Sequence, residues 1–414
     1  MNIIQELNWR GIIHNITPGI EEKLNNNKIF FYTGFDPSYH SLHIGNLIPI
    51  LVLLILKKIG NKPIILIGGA TGIIGDPSGK KKERIFLKKE ILKKNIISLK
   101  NQLINLTKNE VEILNNYDWI KNIYLINFLK KIGKNITINY LFSKDSIKNR
   151  IKTGISFTEF SYQLIQAYDF LFLYKKKKCI LQIGGSDQWG NITTGIEIIK
   201  KLECKKVYGM TFPILTNKKG IKLGKSEKEN IWIDKNLTSP HDFYNYFINF
   251  TDYDSENFIK FLPIKKKEII YFINKHKKNP KNRFLQKKIA YFFTKWIHGK
   301  KITEKIIYYN KILLNKKKNF KELDKKHFIT LSKIINTIKI KKKKIKYYKF
   351  IIDILNNFFS KKDILRKIKE NSLTINNYKK IKKNIFLIKK NFLYKKYIII
   401  KYGKKKFFLI EIIE

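Results

Sequence analysis

The chain has 414 residues, 43% of them hydrophobic, enough for two or three domains with a large core in at least one. Two cysteines, Cys179 and Cys204, stand at no metal-ligand spacing and beside no histidine cluster, which excludes a cysteine metal site and fits a reduced, cytoplasmic setting. Lys+Arg number 85 against 32 Asp+Glu, a net charge of +53 that attracts polyanions, nucleic acid first among them. Nearly all of that charge is lysine, in a chain rich in Ile, Asn, Phe and Tyr. These residue types share A/T-rich codons, so genomic composition is a competing source of the basicity.

The N-terminus MNIIQELNWRG lacks the basic start and apolar run of a secretory signal. Residues 28–34 (KIFFYTG) predict a buried strand and 45–59 a helix closed by Gly60. The apolar run Leu47–Leu56 inside that helix is too short to span a bilayer, so no membrane association is expected. KPIILIGGATG (62–72) predicts a strand running into a Gly-rich turn, and 83–107 a lysine-rich amphipathic helix. Residues 155–174 predict a helix, CILQIGG (179–185) a strand, 189–202 a helix and 207–215 a strand. Strands alternating with helices argue an α/β fold, a parallel sheet with helices on both faces. Ligands of such folds sit at the carboxyl ends of the strands, where the turns after 33, 68 and 184 would lie.

Past about residue 235 the pattern turns helical, through HDFYNYFINF and NRFLQKKIAYFFTKWIHG. The expected organisation is a Rossmann-like catalytic domain over 1–234 with a helical insertion at about 85–150. A helical domain over 235–325 follows, then a lysine-rich linker over 326–348 and a small basic α+β unit over 349–414. No internal repeat is visible.

Two stretches carry chemistry. In FYTGFDPSYHSLHIGN (31–46) a strand ends in Gly, Asp, Pro and Ser just before a helix begins. A helix start offers unpaired backbone N–H groups and the positive end of its dipole, a ready anion site. His43 and Asn46 lie three residues apart on that turn, and Gly45 permits close approach to the backbone. They read as phosphate ligands, or more plainly as a surface histidine and a capping asparagine. In GIKLGKSEKENIWID (220–234), Lys222 and Lys225 place two mobile point charges in a loop softened by Gly220, Gly224 and Ser226. It is not a P-loop, since no glycine stands five residues before Gly224 and no strand precedes it.

Together, His-Ile-Gly-Asn after the first strand and Lys-Leu-Gly-Lys-Ser after the last resemble the two signatures of class I aminoacyl-tRNA synthetases, His-Ile-Gly-His and Lys-Met-Ser-Lys-Ser. YTGFDPSYHSLHIGN (32–46), GGATGIIGDPSGK (68–80), SYQLIQAYDF (161–170), GGSDQWGN (184–191) and KLGKS (222–226) resemble, in order, the bacterial-type tyrosyl enzymes of that family. The tail resembles their S4-like RNA-binding domain. The resemblance covers essentially the whole chain.

It implies the following roles. Tyr32 and Asp169 would hydrogen-bond the phenolic hydroxyl of substrate tyrosine, and Tyr162, Gln166 and Asp76 its ammonium group, with Gln188 near by. Gly34, Asp36, Pro37, Ser38, Gly45 and Asp187 would line the ATP site with His43, Asn46 and Lys225. His43, Asn46, Lys222, Lys225 and Ser226 would stabilise the transition state, and Lys80 and Arg84 the leaving pyrophosphate. ATP would bring Mg²⁺ on its phosphates, with no protein-bound metal. The partners implied are tRNA(Tyr) and a second copy of the chain, docked through about 115–175.

The residues themselves support part of this. Tyr162, Gln166 and Asp169 stand at i, i+4 and i+7, one helix face. Polar groups there, among Leu164, Ile165, Phe170 and Leu171, are costly unless they point into a polar cavity. Attack of the tyrosine carboxylate on the ATP α-phosphate needs no general base, so positioning and charge stabilisation suffice. The chain departs from the family at Asn46, at Leu223 and Gly224, and at Asn371-Ser372, where the tail pattern has a glycine turn. A tryptophanyl enzyme fits the motifs less well, since it leaves the Tyr32/Asp169 pair unexplained. A non-catalytic RNA-binding relative leaves the intact lysine loop unexplained, and a generic nucleotidyltransferase the amino-acid pocket.

Overall fold

The computed structural model describes all residues except 1, 27, 79–85, 152–153, 217–229, 316–319, 343–350, 357–358, 377–378, 381–390 and 404–405. The chain divides into two compact units, Met1–Trp232 with Thr251–Leu285, and Ile233–Phe250 with Gln286–Glu414.

The first unit is built on a six-stranded sheet: β1 (Asn15–Ile16), β2 (Phe30–Phe35), β3 (Lys62–Ile67), β4 (Glu112–Asn115), β5 (Cys179–Gly185) and β6 (Tyr208–Phe212), in the order β1-β6-β5-β2-β3-β4. All neighbours are parallel except the edge pair β1–β6. The parallel sheet is therefore as expected, with an antiparallel edge. The chain winds outward from β2 to β3 and β4, then returns to the other side of β2 through β5 and β6. The direction of winding switches between β2 and β5, where a doubly wound sheet opens a crevice for ligand.

Residue type explains the elements. The strand β3 is buried over Pro63–Ile67, as an inner strand covered on both faces must be. The helix Ile44–Lys58 buries Ile44, Leu47, Ile48 and Ile50–Leu53 and tolerates Pro49. The longest helix, Phe157–Lys177, starts on a Ser156 N-cap whose hydroxyl accepts from the Glu159 amide at 3.2 Å, and ends on Lys178 at φ 55°. One strand inside the expected helical insertion escapes sequence reading. β4 is four residues long, half-buried and at the sheet edge, so its alternation is too short to register.

The second unit carries a five-stranded sheet: β7 (Asn336–Lys341), β8 (Leu373–Ile375), β9 (Lys379–Lys380), β10 (Tyr397–Tyr402) and β11 (Lys406–Ile413), ordered β7-β11-β10-β8-β9. Only β7–β11 is parallel. Here the expected linker over 326–348 needs correction. Its first part holds the helix Lys325–Ile334 and β7, because Ile338 and Ile340 alternate with lysines and bury in the sheet core while the lysines face out. The helix Lys361–Lys369 precedes β8, and between them Asn371 takes φ 49°, the left-handed conformation that a glycine adopts at less cost. Among the described residues no helix is long and apolar enough to cross a membrane.

Candidate active site

A cavity of about 730 Å³ opens in the first unit where the switch point predicts it. Its walls include Tyr32, Gly34, Asp36 and Ser38 from the end of β2, His43 and Asn46 from the following helix, Asp76 from the turn after β3, and Tyr162, Gln166, Asp169 and Gln188.

At the helix start the capping reading holds, with His43 in the cap as well as Asn46. His43 is the N-cap: its Nδ1 accepts from the Gly45 amide at 3.0 Å, while Asn46 Oδ1 accepts from the His43 amide at 3.0 Å. This is a capping box built from His and Asn. Because Nδ1 is an acceptor, the neutral ring carries its proton on Nε2. His43 and Asn46 therefore cap the helix and line the cavity at once. The Ile44 amide donates to the Ile231 carbonyl at 3.0 Å and His43 forms a bridge with Trp232, which docks residues 231–232 beside the helix start.

Deeper in, the helix Phe157–Lys177 presents Tyr162, Gln166 and Asp169 to the cavity, as the i, i+4, i+7 spacing requires. Asp169 is 1% exposed and accepts from Asn116 Nδ2 and from the Trp119 indole, both at 2.9 Å. Stacking on Phe172 at 4.3 Å holds that indole in place. Burial drives the Asp169 carboxyl up to about 7; the Asn116 and Trp119 donors pull it down, and the charge of Asp36 adds a smaller push upward. Burial, and after it the charge of Asp169, holds the Tyr32 phenol well above its ordinary value, so it stays a proton donor. Among the described residues the Tyr32 hydroxyl has no hydrogen-bond partner.

Asp36 joins two sides of the cavity. It accepts from Thr71 Oγ1 at 2.9 Å and from the Tyr162 hydroxyl at 3.0 Å. Asn116 Nδ2 also reaches Thr71 Oγ1, at 3.2 Å, so one chain of hydrogen bonds runs from Asp169 through Asn116 and Thr71 to Asp36 and Tyr162. Gly68 is obligatory beneath it, because a Cβ there would collide with Asp36 Oδ1 and Thr71 Oγ1. A second network ties Asp76 Oδ2 to Gln188 Nε2 at 2.6 Å, and Gln188 and Gln166 to Asn191 Nδ2 at 3.1 and 3.0 Å.

Of the residues expected from sequence, Tyr32, Gly34, Asp36, Ser38, His43, Asn46, Asp76, Tyr162, Gln166, Asp169 and Gln188 line this one cavity. Pro37, Gly45 and Asp187 lie on the same segments outside its lining. Lys80, Arg84, Lys222, Lys225 and Ser226 lie outside the described residues. Sequence reasoning missed Thr71, Asn116, Trp119 and Asn191. Asn116 and Asn191 are fully buried asparagines with little local to mark them, since their side-chain partners other than Gln188 stand 25 to 115 positions away.

Residues 24–315 match the family model for class I tRNA synthetases (W and Y). The chain is 41% identical, over 430 residues spanning all of both chains, to the tyrosine–tRNA ligase of Flavobacterium johnsoniae. The chain belongs to the tyrosine–tRNA ligase family. It is also 38% identical, over 99% of each chain, to the tyrosine–tRNA ligase of Bacteroides thetaiotaomicron. Among solved structures, the C-terminally truncated mitochondrial tyrosyl-tRNA synthetase of Aspergillus nidulans aligns with a TM-score of 0.68 at 29% identity, over 75% of this chain and 94% of that one. Membership in the tyrosine–tRNA ligases extends past the matched 24–315, since the bacterial relatives align through the tail as well.

Proposed function

We propose that this synthetase activates L-tyrosine with ATP, forming tyrosyl-adenylate and pyrophosphate, and then transfers tyrosine to the 3′ end of tRNA(Tyr). The observation that carries the amino-acid assignment is the inner end of the cavity. A buried phenol donor without a partner among the described residues, Tyr32, stands in the field of a buried carboxylate, Asp169, already oriented by two donors. A substrate phenol can donate to Asp169 and accept from Tyr32. Phenylalanine would leave both unpaired, a mode of rejection for which tyrosyl-tRNA synthetases are the standard example. Asp76, Tyr162, Gln166 and Gln188 receive the ammonium group.

ATP lies toward the helix start, with Gly34, Asp36, Pro37, Ser38, Gly45 and Asp187 around it. His43 and Asn46 meet its phosphates at the positive end of the dipole of a 15-residue helix. Lys222, Lys225 and Ser226 complete the charge stabilisation, and Lys80 and Arg84 follow the pyrophosphate out. The substrate carboxylate is itself the nucleophile, so these groups position and neutralise rather than move protons. Mg²⁺ travels with the ATP phosphates. Among the described residues no group of three or more His, Cys, Asp or Glu could hold a metal ion.

The chain acts as a cytoplasmic homodimer. Exposed apolar side chains between 117 and 157 support this, with Tyr124 at 79%, Leu125 at 68% and Phe157 at 78% exposure. A monomer in sedimentation equilibrium at micromolar concentration would remove the dimer from the proposal. The helical segment 235–325 and the basic S4-like tail contact tRNA.

Pyrophosphate exchange into ATP, without tRNA, tests the chemistry. Exchange is expected with tyrosine and not with phenylalanine or tryptophan. Exchange with tryptophan would mean the pocket is misassigned, and folded protein giving none with any of the three would refute the catalytic reading.

A further inference from the structure

The sheet of the second unit is apolar on both faces. Along β10 and β11, Ile398, Ile400, Phe408 and Ile410 join the core made with the helical residues Ile354 and Ile364. The alternate positions Tyr397, Ile399, Phe407 and Leu409 share the opposite face and are 0–2% exposed. A free-standing module would turn that second face to water and carry polar residues on it. Here it is covered.

The cover comes from segments that precede the tail, within the same unit. Phe328, on the helix Lys325–Ile334, is fully buried and stacks on Tyr397 with ring centroids 5.3 Å apart. His241, at the start of the helix Pro240–Ile248, is fully buried and meets Phe407 edge-on at 5.9 Å. Two polar links fasten the same seam. His241 Nε2 hydrogen-bonds Asn310 Oδ1, on the helix Lys300–Leu314, at 2.8 Å. Asn336 Nδ2, at the start of β7, donates to Asp242 Oδ2, 94 positions earlier. Asn336 is the register partner of Phe408 in the parallel pair β7–β11, so this bond ties the sheet itself to the helical segment. Apolar burial is non-directional and does not by itself fix an orientation. A hydrogen bond is directional and does.

We infer that Asp242 and Asn336 are positioning residues for the transfer step: their bond holds the tail at one fixed angle to the helical segment, so that the two offer tRNA a single preformed surface. The inference rests on the reading that both contact tRNA. Neither residue lines the active-site cavity, so adenylate formation is independent of them.

The full chain is the test protein. Asn336→Asp keeps the shape and sets a second carboxylate against Asp242, opening the bond by like-charge repulsion. Adding Asp242→Asn restores an amide–carboxylate pair with the roles exchanged. Asn336→Val removes the amide without adding charge and suits a strand. Spin labels at Lys305→Cys and Lys361→Cys, both exposed positions, report the distance from the helical segment to the tail, with Cys204→Asn removing the exposed native thiol. The expected distance distribution is narrow in the unaltered seam and in the exchanged pair, and broad in both single variants. The KM for tRNA(Tyr) in aminoacylation should rise about tenfold in the single variants, the effect of a competent arrangement populated about one-tenth of the time. The exchanged pair should recover most of that loss. Tyrosine-dependent pyrophosphate exchange should stay within about twofold throughout, because only tRNA binding is altered. A broad distribution in the unaltered seam would overturn the inference, as would single variants that charge tRNA at the wild-type KM, or a loss that the exchanged pair does not rescue. Wild-type protein that catalyses tyrosine exchange but charges no tRNA would defeat the tRNA reading itself, while the distance measurement still decides whether the tail is fixed.

Discussion

Replacing Asp169 by Asn is expected to lower tyrosine-dependent pyrophosphate exchange by roughly 10- to 150-fold, the scale of losing a charge-assisted hydrogen bond in a water-excluded site. The loss should appear in kcat/KM for tyrosine, with the KM for ATP much less affected. The reason is geometric. Both Asp169 oxygens are held by donors, Asn116 Nδ2 on one and the Trp119 indole on the other, so the carboxylate is fixed to receive a third donor. An asparagine has one acceptor oxygen and turns an N–H toward one of those donors.

The same residue sets a pH dependence. Burial raises the Asp169 carboxyl to about 7, above its value in the unfolded chain. Its contribution to stability is therefore fully present below the ordinary carboxylate range and is lost as pH rises through about 7. On the proposed reading tyrosine needs the ionised form, because the substrate phenol would donate to it. Tyrosine affinity in the wild type should thus weaken as pH falls from 8 to 6, with proton release on binding. Asp169→Asn should flatten that profile. A wild-type tyrosine Kd that is constant across this range would refute the assignment of Asp169 as the acceptor.

Removing one partner of the buried pair Arg150–Glu159 is the second large effect. Arg150 Nη1 and Nη2 reach the two Glu159 oxygens at 2.9 and 2.7 Å, and Nη2 also donates to the Gly154 carbonyl at 3.1 Å. Arg150 is 3% exposed and Glu159 fully buried. The pair clamps the first turn of the helix that carries Tyr162 three residues further on. Arg150→Ala leaves an uncompensated carboxylate inside the protein, which costs about 3–5 kcal/mol. The melting temperature of the unit should fall by roughly 6–20 °C at about 2–4 °C per kcal/mol. Arg150→Met combined with Glu159→Leu should recover most of the loss, because no charge is then stranded. A double variant that melts as low as Arg150→Ala would show that the pair contributes more than mutual neutralisation.

Some of this was legible without coordinates. The order of strands and helices around β2, β3, β5 and β6 follows from short apolar runs ending in glycine turns, signals written within ten residues. The shared face of Tyr162, Gln166 and Asp169 follows from helical periodicity alone. The choice of His43 and Asn46 follows from their place just before an apolar helix.

Other features rest on partners far apart in the chain. β4 pairs with β3 some 50 residues earlier, and β7 with β11 some 70 residues later. Neither strand has a local pattern strong enough to outweigh the lysines and polar residues around it. The dual role of His43 and Asn46, caps as well as cavity lining, needed the backbone geometry of the turn. Asn116, Trp119, Thr71 and Asn191 are ordinary polar or aromatic letters in the sequence, and folding turns them into the frame that holds Asp169, Asp36 and Gln166. The Tyr32 hydroxyl, without a partner among the described residues, is the clearest case. An absence of partners has no sequence signature, because it is a property of everything that folding brings near one atom. The sequence by itself determined which residue types stand at the strand ends and along one helix face; the tertiary structure decided which of them are buried, which are held, and which are left without a partner among the described residues, since burial and hydrogen bonding are settled by contacts between distant segments.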